Sequence, residues 1–332
     1  MEDAVIAGAG PIGLACAVSA KRRGLDALLL DGGVLVNSIT RYPIGMTFFT
    51  TPERMEIGGH PLVCAGQKPT REEGLKYYRG IARVEGVRFR AHTRLVAAER
   101  RNGALECLLA GRTGEERIVT RRLVLATGYF DHPNLLGVPG EDLPHVSHYF
   151  DEPHGGYGLD VVVVGGRNSA VEAALELFRA GARVTLVYRG KALPPSIKYW
   201  VKPDIENRIK AGEIAARFGA TVERIDERAV TIRAGRRSEE LPADRVYALT
   251  GYHPDFELFR RLGIALEPDT LRARLDPETL ETTMEPAVAV SLTLPAAVTL
   301  RTLRSPDAAA ILMSPLLAVA RRSAPVRVVR AV

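Results

Sequence analysis

The chain has 332 residues, 46% of them hydrophobic, which is enough for two domains with separate cores and the composition of a globular protein. Its three scattered cysteines, Cys16, Cys64 and Cys107, exclude a disulfide framework, a CxxC pair and a cysteine-based zinc site. The net charge of +6 sits mostly in residues 286–332, which hold six arginines against one aspartate, so the body is nearly balanced and nucleic-acid binding is not expected.

Residues 4–31 read as a βαβ unit. An apolar strand (Ala4–Ala7) runs into Gly8-Ala9-Gly10-Pro11-Ile12-Gly13, then a helix of small and apolar residues (Leu14–Arg23), a stop at Gly24 and a strand (Ala27–Leu30) that ends at Asp31. Residues 33–70 read as loop. Helical spacing returns over Thr70–Val84, with Glu72 and Glu73 in its first turn. Short strands follow over 87–127 (Val87–Arg90, Leu95–Glu99, Leu105–Leu109, Arg117–Val119, Leu123–Ala126), with turns at Asn102-Gly103 and Thr113-Gly114. Pro133–Asp160 reads as a crossover. A second βαβ unit comprises strand Val161–Val164, helix Ser169–Arg179, Gly181 and strand Arg183–Tyr188. Short strands occupy 214–247, and Leu249–Pro254 reads as a second crossover.

The predicted fold is therefore α/β, with two Rossmann-type (three-layer ββα) domains, one inserted in the other. Residues 1–145 and 249–285 would form the first domain, 146–248 the second, and 286–332 an atypical tail. The chain opens directly on a strand, and Pro286, Pro295, Arg301, Arg304, Pro306 and Pro315 break the apolar tail. No secretory leader or membrane span is expected, and a cytoplasmic location follows by default.

Two glycine turns, each between a strand and a helix, carry the chemistry. Such a turn presents backbone N–H groups and the positive end of a helix dipole to a pyrophosphate. In the first, Gly8, Gly10 and Gly13 complete GxGxxG, Pro11 opens the helix, and Asp31 stands 18 residues after Gly13, where a carboxylate accepts ribose hydroxyls. The second reads Gly165-Gly166-Arg167-Asn168-Ser169-Ala170, and its strand ends in Tyr188-Arg189-Gly190 without an acid. Arg189, with Lys191 beside it, suits the 2′-phosphate of NADPH, which a carboxylate would repel. Thr127-Gly128 and Thr250-Gly251 are turns at which the chain leaves a nucleotide domain. Two cradles in one chain point to two dinucleotides exchanging electrons. His145, His148 and His154 lie in the first crossover without a completing ligand set, so no metal site is expected. His148 and Tyr149 are candidate proton donors, and Cys16 is a weak candidate nucleophile that reads better as a small core residue.

These motifs in this order resemble the two-dinucleotide-binding-domain flavoproteins of the thioredoxin-reductase-like group. Val36-Asn37-Ser38-Ile39, Met46-Thr47-Phe48-Phe49-Thr50, Lys68-Pro69-Thr70-Arg71, Leu143–Phe150, Asn168-Ser169-Ala170 and Pro195-Ser196-Ile197-Lys198 are more narrowly similar to bacillithiol disulfide reductases of the YpdA type. The resemblance runs from residue 1 to about 284. It implies FAD in the first cradle, with Asn37, Ser38, Thr47, Thr127 and Gly128 added to its contacts, and NADPH in the second, with Asn168 and Ser169 added. It also implies an oxidoreductase that reduces a low-molecular-weight disulfide such as bacillithiol disulfide, with a homo-oligomer as one assembly.

Three departures stand out. Val146-Ser147, which a redox dithiol follows in thioredoxin reductases, is followed here by His148-Tyr149-Phe150. Ile12 occupies the position where the bacillithiol-type proteins carry a cysteine. Residues 286–332 contain no glycine, aromatic or lysine and cannot build the family's closing glycine turn; a frame slip near Met284 is the hypothesis that would account for this. Ferredoxin–NADP reductase, flavin monooxygenase and a catalytically impaired nucleotide-binding protein remain the alternative functions.

Overall fold

The computed structural model describes residues 1–276 and 281–284, and the backbone of 287–289. In chain order the elements are β1 (Ala4–Ala7), α1 (Pro11–Arg22), β2 (Ala27–Leu30), α2 (Asn37–Thr40), α3 (Arg71–Val84), β3 (Phe89–Arg90), β4 (Arg94–Arg101), β5 (Ala104–Gly111), β6 (Gly114–Thr120), β7 (Leu123–Leu125), β8 (Val146–Ser147), β9 (Asp160–Val164), α4 (Asn168–Arg179), β10 (Arg183–Tyr188), α5 (Lys202–Lys210), β11 (Ala215–Phe218), β12 (Ala220–Asp226), β13 (Ala229–Ala234), β14 (Arg237–Pro242), β15 (Arg245–Ala248), α6 (Phe256–Arg261) and β16 (Ala287–Ala289). The strands form two five-stranded parallel sheets, ordered β16-β7-β1-β2-β3 and β11-β10-β9-β15-β8, and two three-stranded antiparallel meanders, β4-β5-β6 and β12-β13-β14.

The chain divides into two compact units. Residues 1–40 and 45–131, with the described residues from 254 onward, form the first; residues 41–44 and 132–253 form the second. The second is thus inserted in the sequence of the first.

Each unit has three layers, set by strand alternation. In the second unit, Val161 and Val163 of β9 join Ala170, Val171, Ala174 and Leu177 of α4 in one core, whereas Val162 and Val164 join Val222, Ile225, Val230 and Ile232 of the meander in another. In the first unit, Val5, Ala7, Leu123 and Leu125 pack against Leu95, Leu105, Cys107 and Leu109 of the β4–β6 meander. Helix α1 buries a run of small and apolar residues, Gly13 to Ala20, which lets it lie close to β1 and β2. This is the α/β, doubly Rossmann-type architecture that the sequence leads one to expect.

The local signals hold with small shifts. Helix α3 begins at Arg71, one residue later than expected, because Thr70 stands outside it as the N-cap in a full capping box with Glu73, which the sequence marks only as a first-turn acid. Asn102 (φ 51°) and Gly103 (φ 80°) turn the β4–β5 hairpin in the left-handed region that such a turn demands. Three helices have no counterpart in the sequence reading. The expected loop of 33–70 contains the single-turn α2, and α5 and α6 lie in stretches too short or too polar to show a periodic stripe. The composition argument about 286–332 falls outside the described residues, except that the backbone of β16 pairs in parallel with β7.

Candidate functional site: two nucleotide cradles

The first cradle begins where β1 ends. Gly8 has φ 103°, a conformation that L side chains rarely adopt, and its N–H donates to the Leu30 carbonyl at 2.8 Å. A Cβ on Gly8 would collide with the Ala126 carbonyl, and a Cβ on Gly13 with the Gly8 carbonyl, so α1 lies directly against the turn. Gly10 occupies the N-cap position of α1 without a side chain to cap it, Pro11 follows, and a Cβ on Gly10 would meet nothing within 4 Å; that face is open to a ligand.

Asp31 fixes this turn. Its Oδ2 accepts the Ala9 N–H and its Oδ1 the Gly33 N–H, both at 2.8 Å. Burial pushes its carboxyl above the usual carboxylate range, opposed by those two N–H donors; nearby Asp131 pushes the same way as burial, and Arg94 against it. The Ala9 carbonyl in turn accepts the Val36 N–H at 2.9 Å. Val36 is buried and has φ 50°, a strained conformation for a β-branched residue, at the point where the chain enters α2. No local sequence signal marks it.

Asn37 and Ser38 stand on α2. The Asn37 Oδ1 accepts the Val34 N–H at 3.4 Å, and its amide fills the space left by the missing side chain of Gly33. Ser38 is partly buried, and Thr47 is exposed, bridged to Thr70. Thr127 and Gly128, partly buried, follow the Ala126 N–H that donates to the Ala7 carbonyl at 2.7 Å, beside β1. Cys16 is buried in α1, and burial pushes its thiol up to about 12, so it belongs to the core and holds no thiolate at neutral pH.

In the second cradle Gly165 has φ 143°, and a Cβ on it would meet the Leu249 carbonyl at 2.5 Å. The Tyr188 ring occupies the place of a Gly166 side chain. Arg167 occupies the N-cap position of α4 with an extended backbone and makes no side-chain cap, and nearby Ser169 is exposed. Arg167, Arg189 and Lys191 are all exposed and, among the described residues, have no ion pair. Asn168 is engaged within the protein: its Oδ1 accepts the Lys198 N–H at 2.9 Å and its Nδ2 donates to the Ser196 carbonyl at 3.5 Å. The Lys198 ammonium pairs with Glu172 at 2.5 Å and Ile197 is buried, so the amide of Asn168 ties the 196–198 loop to α4.

His148 and Tyr149 lie in the second unit. The His148 Nδ1 meets the Ala248 carbonyl at 3.3 Å and its Nε2 faces Glu141 at 3.5 Å, so both ring nitrogens have protein partners. Tyr149 stacks on Tyr252 with ring centroids 5.5 Å apart, and the Arg41 guanidinium lies over the Tyr149 ring at 5.1 Å. Among the described residues no group of three or more His, Cys, Asp or Glu could hold a metal, and no helix is long and apolar enough to cross a membrane.

Whether the cradles fit anionic nucleotides is answered by their helix ends. Among the described helices of eight or more residues, α1 and α4 alone begin with neither a side-chain cap nor an acid in the first turn. By contrast, α3 has its capping box and two glutamates, and α5 has Asp204. The two helix N-termini that keep their backbone N–H groups free of side-chain caps and first-turn acids thus sit at the two glycine turns, which fits a pyrophosphate at each.

Known proteins have similar sequences and folds. The pyridine nucleotide-disulphide oxidoreductase family model matches residues 5–286. Bacilliredoxin reductase Bdr of Bacillus subtilis is 43% identical over 82% of this chain and 83% of the relative. The structure of bacillithiol disulfide reductase Bdr (YpdA) from Bacillus cereus superposes with a TM-score of 0.84 at 39% identity, covering 87% of this chain and 89% of that one. A ferredoxin–NADP reductase of Ignicoccus hospitalis is 28% identical over 80% of this chain and 82% of its own. The chain belongs to the pyridine nucleotide-disulphide oxidoreductase family, as a thioredoxin-reductase-like flavoprotein enzyme similar to the bacillithiol disulfide reductases.

Proposed function

We propose that this FAD- and NADPH-dependent oxidoreductase reduces a low-molecular-weight disulfide, with bacillithiol disulfide as the acceptor, in the cytoplasm. The observation that carries the reading is the pair of uncapped helix N-termini at turns whose following strands end differently, in Asp31 and in Arg189. FAD, when bound, supplies the two-electron chemistry that links the nicotinamide to the disulfide.

The residues divide the remaining work. The first-turn N–H groups of α1 would hold one pyrophosphate across the open face of Gly10, and the remaining lone pairs of Asp31 would accept ribose hydroxyls. Asn37, Ser38, Thr47, Thr127 and Gly128 would complete that contact surface. Arg189 and Lys191 would pair with the 2′-phosphate of NADPH, and Arg167, where the usual middle glycine is replaced, would face its pyrophosphate. Ser169 would add a hydroxyl at the same helix end. Asn168 would act indirectly, by holding the 196–198 loop in place.

The acceptor has no protein dithiol to exchange with. Cys16 and Cys107 are buried, with thiols pushed up to about 12, and Cys64 lies apart from both in sequence, donating to the Gly66 carbonyl at 3.0 Å. A ferredoxin–NADP reductase would also need no dithiol, and that relative supports it as the second reading.

Mixing anaerobically reduced holoprotein separately with bacillithiol disulfide, ferredoxin and oxygen tests the proposal. Fast reoxidation by the disulfide alone is expected. Reoxidation by ferredoxin but not by disulfide would replace the first reading with the second.

A further inference from the structure

One device in the first unit serves neither cradle directly. The chain leaves this unit after Thr40 and re-enters it at Gly45. The two edges of the excursion carry residues assigned to FAD: Asn37 and Ser38 before it, Thr47 after it.

Arg71, the first residue of α3, holds both edges. Its Nε donates to the Ile39 carbonyl at 3.1 Å and its Nη2 to the Thr40 carbonyl at 2.7 Å, capping the last turn of α2. Its backbone N–H donates to the Met46 carbonyl at 2.8 Å. The third guanidinium nitrogen, Nη1, pairs with Glu72 at 2.9 Å, and the side chain is only 16% exposed. A planar, permanently charged fork is well matched to this place, because one rigid group reaches two successive carbonyls and its charge complements the C-terminal end of the α2 dipole.

The floor under the second edge is built to match. Thr47 bridges to Thr70, and the Phe48 N–H donates to the Pro69 carbonyl at 2.9 Å. The Phe48 ring rests on Gly74 of α3, where a Cβ would lie 3.0 Å from its Cε2. Helix α3 is itself fixed by the capping box of Thr70 and Glu73. At the other end of α2 the chain enters through buried Val36 with φ 50°, a strained conformation that the surrounding structure has to hold.

We propose that Arg71 is a positioning residue for FAD binding: it closes the 41–44 excursion and thereby holds α2 and Thr47 in the conformation that meets the cofactor. This rests on the assignment of Asn37, Ser38 and Thr47 to FAD. Arg71 acts through those residues and is assigned no contact with the cofactor itself.

The test uses the full chain stripped of flavin and titrated with FAD, read by flavin fluorescence, for Arg71→Ala, Arg71→Lys, Ser38→Ala and the Arg71→Ala/Ser38→Ala double variant. Arg71→Ala is expected to weaken FAD binding about ten-fold or more while NADPH affinity stays within about two-fold, and Arg71→Lys, which cannot fork, to fall between. Ser38→Ala is expected to weaken FAD binding alone but to add little in the Arg71→Ala background, because α2 is already displaced. Amide hydrogen exchange of the flavin-free Arg71→Lys protein gives a second readout that survives poor folding of the alanine variant, with faster exchange expected in 37–48 only. If Ser38→Ala weakens FAD binding and Arg71→Ala does not, the positioning role is wrong and the FAD assignment stands. If neither weakens it, the FAD assignment of α2 fails and the inference falls with it. Equal loss of FAD and NADPH affinity, or faster exchange across the whole unit, would reduce Arg71 to a general stabiliser and overturn the proposal.

Discussion

The two glycine turns are the same backbone device fitted with different side chains. Both follow a buried parallel strand, both begin a 12-residue helix with no cap and no acid, and both use a glycine at positive φ against a neighbouring carbonyl. They differ in what closes the site. The first has Asp31 bonded into the turn, so its acid is structural, and on the proposed assignment its remaining lone pairs would serve a ribose. The second has three cations without ion pairs among the described residues, on a protein where many other arginines are paired, as in Arg183–Asp160, Arg217–Glu239 and Arg88–Glu2. On the proposed assignment, the backbone of each turn would supply pyrophosphate binding, and the residue ending the second strand would select the nucleotide.

The strongest challenge to this comparison is at the shared feature. Gly8→Ala places a Cβ on the Ala126 carbonyl in a strained backbone conformation, at a cost of at least about 2 kcal/mol. A lower melting temperature and near-complete loss of bound flavin are expected, and wild-type flavin content would refute the cradle. The next effect sharpens the difference between the turns. Arg189→Ala should reduce the preference for NADPH over NADH by about ten- to one-hundred-fold, chiefly through the KM for NADPH. An unchanged ratio would remove Arg189 from the site.

A third, smaller effect is in pH. Because burial raises the Asp31 carboxyl, its contribution to apoprotein stability is present below its ordinary pKa and is lost as pH rises through the raised value. FAD binding runs the opposite way, since a protonated carboxyl offers fewer acceptors. The FAD dissociation constant should therefore rise as pH falls from neutral toward the usual carboxylate value of about 4. Asp31→Asn should bind weakly with a flat profile; the same slope in both proteins would assign the titration elsewhere. The smallest effect concerns Cys16. Replacing it with alanine should cost about 1 kcal/mol of stability and leave turnover within about two-fold. A large loss of kcat would give that thiol a chemical role.

Much of this is legible in the sequence because it is local. The strand, turn and helix around Gly8–Gly13, the helix that begins near Thr70 with Glu72 and Glu73 in its first turn, and the Asn102-Gly103 hairpin each depend on neighbours a few residues away. The remainder depends on partners distant in the chain. The use of Asn168 is set by Lys198, 30 residues on, and that of Arg71 by Ile39 and Thr40, 32 and 31 residues back. Left-handed Val36 runs against its own intrinsic preference, so no propensity could indicate it. Helix α5 shows no clear apolar stripe because Ile205 is its one buried side chain.

The central claim is that reducing equivalents pass between two separately bound dinucleotides with no protein thiol between them. Anaerobic addition of NADPH to flavin-loaded protein carrying Cys16→Ala, Cys64→Ala and Cys107→Ala together tests it most directly. NADPH is expected to bleach the yellow flavin band, and bacillithiol disulfide to restore it. A flavin that binds but stays oxidised with NADPH, or that is reduced but regains its colour with disulfide only when a cysteine is restored, would contradict the claim.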